Sequence, residues 1–261
     1  MQTKTSYRLL SIVLAGLLAS PALAQNLQGE GKGPIYVNIP LNGAPLLQSF
    51  YTRFKDTDHH FGALEVAAQT PQLNKATIFF ADKDHDDRYF YNVTFARYFG
   101  SIFRRTAPRD FCKGTCTFQV QRPANPAGQV FVLTGFYVYY RGGDHHIDRL
   151  SIVERNGSVT VAANDKNDDD PFVVEVRYAY IPRSSLAVVS SRRGSARGGQ
   201  RVPIERGTPV IRGFTFDFRS EDHHIQEIGV MPLTNGQLEV YYSDKNKDDL
   251  FDWSVEYAIL R

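Results

Sequence analysis

Apolar and polar residues alternate with a period of two along most of this 261-residue chain, and the alternating runs recur in three sets. That period puts successive side chains on opposite faces of a strand, so the pattern predicts an all-β protein. Each set opens on a run ending in phenylalanine: Pro45 to Phe50, Phe131 to Phe136 and Pro209 to Phe214. The second run carries Leu64 and Val66, Leu150 and Ile152, or Ile228 and Val230; the third carries Ile78 and Phe80, Val159 and Val161, or Leu238 and Val240. A fourth holds Tyr91, Val93 and Phe95, or Val174, Val176 and Tyr178, or Trp253, Val255 and Tyr257. Between the second and third runs, Asn156-Gly157 and Asn235-Gly236 are hairpin signals, and the first set has a looser Gln72-Leu73-Asn74-Lys75.

The reading is three homologous antiparallel modules, each a small β-sandwich or four-stranded meander, over residues 33–100, 117–182 and 201–261. Units this small bury little surface alone, so they are expected to pack on one another. The Ser/Arg/Gly-rich stretch 183–200, with Arg192, Arg193 and Arg197, is expected to be a flexible linker rather than a site for an anionic partner.

Each set also carries the same two polar corners. The tripeptides Asp58-His59-His60, Asp144-His145-His146 and Asp222-His223-His224 follow the first run. Acidic corners follow the third, with candidate oxygen ligands Asp82, Asp84, Asp86 and Asp87; Asp165, Asn167, Asp169 and Asp170; and Asp244, Asn246, Asp248 and Asp249. In an up-down-up-down order both corners lie at one end of the strands and the Asn-Gly turns at the other. Parity places His60, His146 and His224 in phase with the apolar positions of the second run, and Asp82, Asp165 and Asp244 in phase with those of the third. The second histidine of each pair and the first aspartate of each run are therefore expected to point inward and meet. A bulge at the corner would reverse this, because Phe61, Ile147 and Ile225 are apolar out of phase.

Residues 1–24 read as an export signal: Lys4 and Arg8, an apolar stretch from Leu9 to Leu18, then Ala22-Leu23-Ala24. The remainder is expected to be exported, periplasmic or secreted. No later stretch approaches the ~20 apolar residues that cross a bilayer as a helix. The chain carries 30 Lys and Arg against 28 Asp and Glu; loss of Lys4 and Arg8 with the signal leaves it neutral, which argues against general nucleic-acid binding. Cys112 and Cys116 are the only cysteines and, outside the cytoplasm, are expected to form a short-loop disulfide.

In the third set, the stretch Pro209 to Phe214, the strand Ile225 to Val230, the strand Gly236 to Tyr242 and the closing Trp253 to Ile259 together resemble an H-type lectin domain, a sugar-binding sandwich. The resemblance implies carbohydrate binding, and since such lectins form trimers, three linked units would resemble a single-chain pseudo-trimer. The doubled histidine and the acidic corners lie outside that family's pattern, so no sugar-binding residue is carried over.

Four chemistries compete for the corners. Calcium takes six to eight oxygen ligands, which the acidic runs offer, although Val93, Val176 and Val255 stand where an EF-hand needs a bidentate Glu. A purely structural reading has each inward histidine bonded to its aspartate. A transition-metal site would need one histidine from each unit to converge, since neighbours on a strand face opposite ways. Catalysis finds no nucleophile motif. The sequence therefore reads as a non-enzymatic, multivalent glycan-binding module, with a calcium-stiffened adhesive repeat as the alternative. Tyr89, Phe172 and Phe251, beside the corners, are either sugar-stacking platforms or core.

Overall fold

The computed structural model describes residues 24–39, 43–55, 60–69, 75–83, 87–107, 110–140, 146–165, 170–219, 224–244, 247 and 249–261. All but the last residue of the expected export signal lie outside them, as do residues 72–74 of the first turn. The first unit contributes β1 (Gln25–Lys32), β2 (Ile35–Asn38), β3 (Ala44–Phe54), β4 (Phe61–Ala68), β5 (Lys75–Asp82) and β6 (Arg88–Tyr98). The second contributes β7 (Phe103–Thr106), β8 (Asp110–Lys113), β9 (Thr115–Gln119), β10 (Gln129–Tyr140), β11 (Ile147–Arg155), β12 (Ser158–Asp165) and β13 (Pro171–Pro182). The third contributes β14 (Leu186–Arg197), β15 (Gly199–Pro203), β16 (Thr208–Phe218), β17 (Ile225–Leu233), β18 (Gln237–Asp244) and β19 (Leu250–Leu260). The protein is all-β and its pairings are antiparallel. No helix among the described residues is long and apolar enough to cross a membrane.

The strands do not run as meanders. In each unit the first strand pairs with the fourth (β3·β6, β10·β13, β16·β19) and the second with the third (β4·β5, β11·β12, β17·β18). The two half-sheets of a unit face each other as a sandwich; Phe54 and Phe80 stack across the first at 4.0 Å between ring centroids, Phe218 and Tyr242 across the third at 4.3 Å. Each half-sheet then continues into a neighbouring unit through β3·β17, β10·β4 and β16·β11. The result is three sheets, ordered β1-β6-β3-β17-β18-β15, β2-β5-β4-β10-β13-β7 (with β8 also on β13) and β14-β19-β16-β11-β12-β9. Every sheet belongs to two units. Because main-chain hydrogen bonds of the interior strands cross those seams, the units are knitted rather than packed as separate bodies.

The first strands meet on a pseudo-threefold axis, where Phe50, Phe136 and Phe214 form a fully buried triangle with centroids 5.1, 5.1 and 5.3 Å apart. Bulges recur at the same two places in each unit. One lies between Leu47 and Ser49, Leu133 and Gly135, or Ile211 and Gly213. It flips the phase of the strand, so Leu46, Val132 and Val210 enter a small second core while Leu47, Leu133 and Ile211 stay in the main one.

The Asn-Gly signals hold, in two forms. Asn156 and Gly157 both have positive φ (54° and 88°) and join Arg155 to Ser158 in a two-residue turn. At Asn235-Gly236 only Gly236 is positive (86°), and Leu233 pairs with Gln237 around a three-residue loop. Cys112 and Cys116 are bonded, tying the β8 edge of one sheet to the β9 edge of another. The stretch expected as a flexible linker is a short 3-10 turn, Arg183–Ser185, followed by β14, which pairs along β19 from Leu186 to Arg197. Its Ser/Arg/Gly composition suggests a linker, but exposure alternates from Ser190 to Arg197, and the Arg192 guanidinium lies 5.9 Å over the Tyr257 ring while bonding Glu205.

Candidate functional site

Both corners of each unit flank the same end of the strands: the Lys55 amide donates to the Arg88 carbonyl, and the Arg219 amide to that of Leu250. Asp58, His59, Asp84, Asp86, Asp144, His145, Asn167, Asp169, Asp222, His223, Asn246 and Asp248 lie outside the described residues. His60, His146 and His224 are described, each immediately before the second strand of its unit. Each follows its axial phenylalanine by the same interval (50 to 60, 136 to 146, 214 to 224). The three therefore return to the axis together. Their ring centroids lie 4.7, 4.3 and 4.5 Å apart, and one ring nitrogen of each lies within 4.8 Å of the other two.

The parity argument fails at the second repeated bulge, between Phe61 and Ala63, Ile147 and Arg149, or Ile225 and Glu227. The extra residue returns Phe61, Ile147 and Ile225 to the core, so the histidines are not held in phase with Leu64, Leu150 and Ile228. Asp82, Asp165 and Asp244 are buried and pair across from Phe61, Ile147 and Ile225, one residue from the histidines. A carboxylate oxygen of Asp244 accepts the Lys247 amide at 3.0 Å and so closes its own corner. Asp87, Asp170 and Asp249 sit at the far ends of the corners. Tyr89, Phe172 and Phe251 are wholly buried, which makes them core rather than sugar-stacking platforms.

A second region, which the sequence reading missed, lies on the outer face of the first sheet. A groove of about 590 Å³ is lined by Tyr51, Phe90, Tyr91 and Tyr241, with Gln28, Gly29, Glu30, Asn92 and Met231 beside them. The registers place Gln28, Asn92, Tyr51, Gly229 and Tyr241 in one row across five strands. Gly229 is required here, since a Cβ would come within 2.9 Å of the Tyr51 ring. Both tyrosines are anchored: the Tyr51 hydroxyl donates to buried Glu227 at 2.7 Å, and the Tyr241 hydroxyl to Glu239 at 3.0 Å. Burial first, and then that carboxylate, push the Tyr51 phenol far above its usual pKa. Glu227 also accepts from Ser243 (3.0 Å) and from the Lys247 ammonium (2.7 Å).

The pseudo-symmetry supplies an internal control. The row Asn92, Tyr51, Gly229, Tyr241 corresponds to Glu175, Tyr137, Glu65, Phe79 on the second sheet and to Ser254, Thr215, Ser151, Ala162 on the third. On the second sheet Arg177 spans Glu175 (2.6 Å) and Glu65 (3.7 Å). The second sheet thus keeps aromatics at the two tyrosine positions (Tyr137 and Phe79) but places Glu65 where the first has Gly229, and the third sheet has no aromatic in the row. A further groove of about 560 Å³ beside Asn156 is walled by Arg155, Arg212 and Glu256, charges already committed to one another.

Scanned against protein-family models and curated proteins, the sequence finds no match.

Proposed function

We propose that the chain is a non-enzymatic binding protein for neutral glycans, which it takes on the outer face of the first sheet. The observation that carries the reading is the groove at Tyr51 and Tyr241, which stand on either side of Gly229 where the second sheet has Glu65 between Tyr137 and Phe79 and the third has no aromatic. Pyranose rings lay their C–H faces on aromatic rings, and hydroxyls need the donors and acceptors that Gln28 and Asn92 offer. Rings pinned by Glu227 and Glu239 lose little further freedom when a ligand arrives. The nearby cations are engaged: Lys55 with Glu30 at 3.2 Å, Arg53 over the Phe90 ring at 5.2 Å. A neutral ligand therefore fits better than an anionic one. An export signal at 1–24 would bring such a face to extracytoplasmic polysaccharide.

A glycan array with and without calcium, followed by titration of hits, tests this. Tyr51→Ala and Tyr241→Ala should each weaken binding by roughly tenfold or more, on the basis of ~1–3 kcal/mol for a hot-spot aromatic. Tyr137→Ala, at the equivalent place on the second sheet, should leave binding intact. Hits that depend on calcium and ignore both tyrosines would move the site to the acidic corners; no hit at all rejects the reading.

A further inference from the structure

We infer that His60, His146 and His224 form a site for one late first-row divalent metal ion, zinc foremost, held on the axis by one imidazole from each unit.

The geometry is close to what zinc needs. Three ligand atoms within 4.8 Å of one another bound a triangle whose corners lie at most ~2.8 Å from its centre, against ~2.0–2.1 Å for a Zn–N bond. Each nitrogen has to close by at most ~0.7 Å. Imidazole nitrogen selects zinc, copper and nickel, whereas calcium and magnesium require oxygen. Three protein ligands leave zinc a fourth position for water or an exogenous donor.

Packing alone does not call for these residues. One layer down, the same axis is closed by Phe50, Phe136 and Phe214, so apolar rings suffice to fill it. The residue after each histidine changes among the repeats (Phe61, Ile147, Ile225) and only has to be apolar, whereas the histidine never changes. A position that stays polar and identical on a symmetry axis is suited to a ligand shared by all three units.

The site lies across three elements that enter through three different sheets, so an ion there cross-links the whole molecule. Binding then adds directly to stability, because the unfolded chain does not hold the three rings together. The inference stands apart from the glycan reading, with which it shares no residue.

The test uses the purified, chelator-stripped full chain and zinc or cobalt(II) alone. One equivalent should bind, cobalt(II) should show the intense visible bands of a four-coordinate nitrogen-rich site, and zinc at a hundredfold excess over Kd should raise Tm by about 5–10 °C. Of the seven imidazoles, three should shift in proton–nitrogen correlation spectra, a readout that needs no variant. His146→Ala should abolish stoichiometric binding while the metal-free variant keeps its sheet signal. Binding of three equivalents, no thermal shift, a response from a different set of imidazoles, or full binding by folded His146→Ala each overturns the proposal.

Discussion

The axis and the outer faces of this molecule obey opposite rules. On the axis, Phe50, Phe136 and Phe214, and then His60, His146 and His224, are the same residue three times. On the outer faces no position of the equivalent rows is the same three times, and only Tyr51 and Tyr137 coincide: Asn92, Tyr51, Gly229 and Tyr241 against Glu175, Tyr137, Glu65 and Phe79 against Ser254, Thr215, Ser151 and Ala162. The contrast has a physical cause. A side chain on a pseudo-symmetry axis meets its own counterparts, so all three must suit one another. A side chain on an outer face meets solvent or a ligand, and each face can be specialised alone.

The largest expected effect tests the symmetry of the axis. Phe50→Ala, Phe136→Ala and Phe214→Ala should each cost about 3–5 kcal/mol by denaturant unfolding, since each opens a cavity in a fully buried triangle. A spread wider than the three costs themselves would mean that the axis is not energetically threefold.

A smaller effect probes the asymmetric face. Gly229→Ser installs the residue that the third sheet carries at Ser151. Its Cβ would fall 2.8 Å from the Phe50 carbonyl oxygen and 2.9 Å from the Tyr51 Cα, so about 1–3 kcal/mol of stability should be lost. The Tyr51 ring should be displaced, with glycan binding falling more than stability does. Equal binding by a folded Gly229→Ser variant would separate the groove from the proposed function.

The mildest test is alkaline pH. The Tyr51 phenol is pushed up by burial and by Glu227, and burial above all raises those of Tyr89, Tyr178 and Tyr180, the last to about 12. A raised phenol pKa means that the folded state holds its proton after the unfolded state has released one. Stability should therefore be level below the unfolded value of ~10 and decline as pH rises beyond it. Tyr51→Phe should make that decline shallower; an unchanged slope would mean that Tyr51 ionises alike in both states.

Particular residues show how much could be read before the fold was known. Alternation identified the strands, and Asn156-Gly157 located a two-residue turn because both positions need positive φ. The up-down-up-down order placed the two corners of each unit at one end, as the Lys55–Arg88 and Arg219–Leu250 backbone bonds show. That order is equally compatible with a meander and with the observed pairing of first with fourth strand, so the meander was an unforced choice. Parity failed at His60, His146 and His224 because a bulge adds one residue, although Phe61, Ile147 and Ile225 had advertised it. The axial triads were detectable as positions that never change among the repeats. The aromatic row was not, because Tyr51, Asn92 and Gly229 come from three strands of two units and share no sequence pattern.

From its residues alone the chain is an all-β threefold repeat with hairpin turns and paired polar corners, because alternation, turn chemistry and repetition are local properties. Which strands lie side by side, which sheet each half-unit joins, and that His60, His146 and His224 meet were decided only by tertiary structure. Those outcomes depend on the burial of large aromatic surfaces between segments more than a hundred residues apart, such as Phe50 against Phe214, and no local pattern encodes such a partnership.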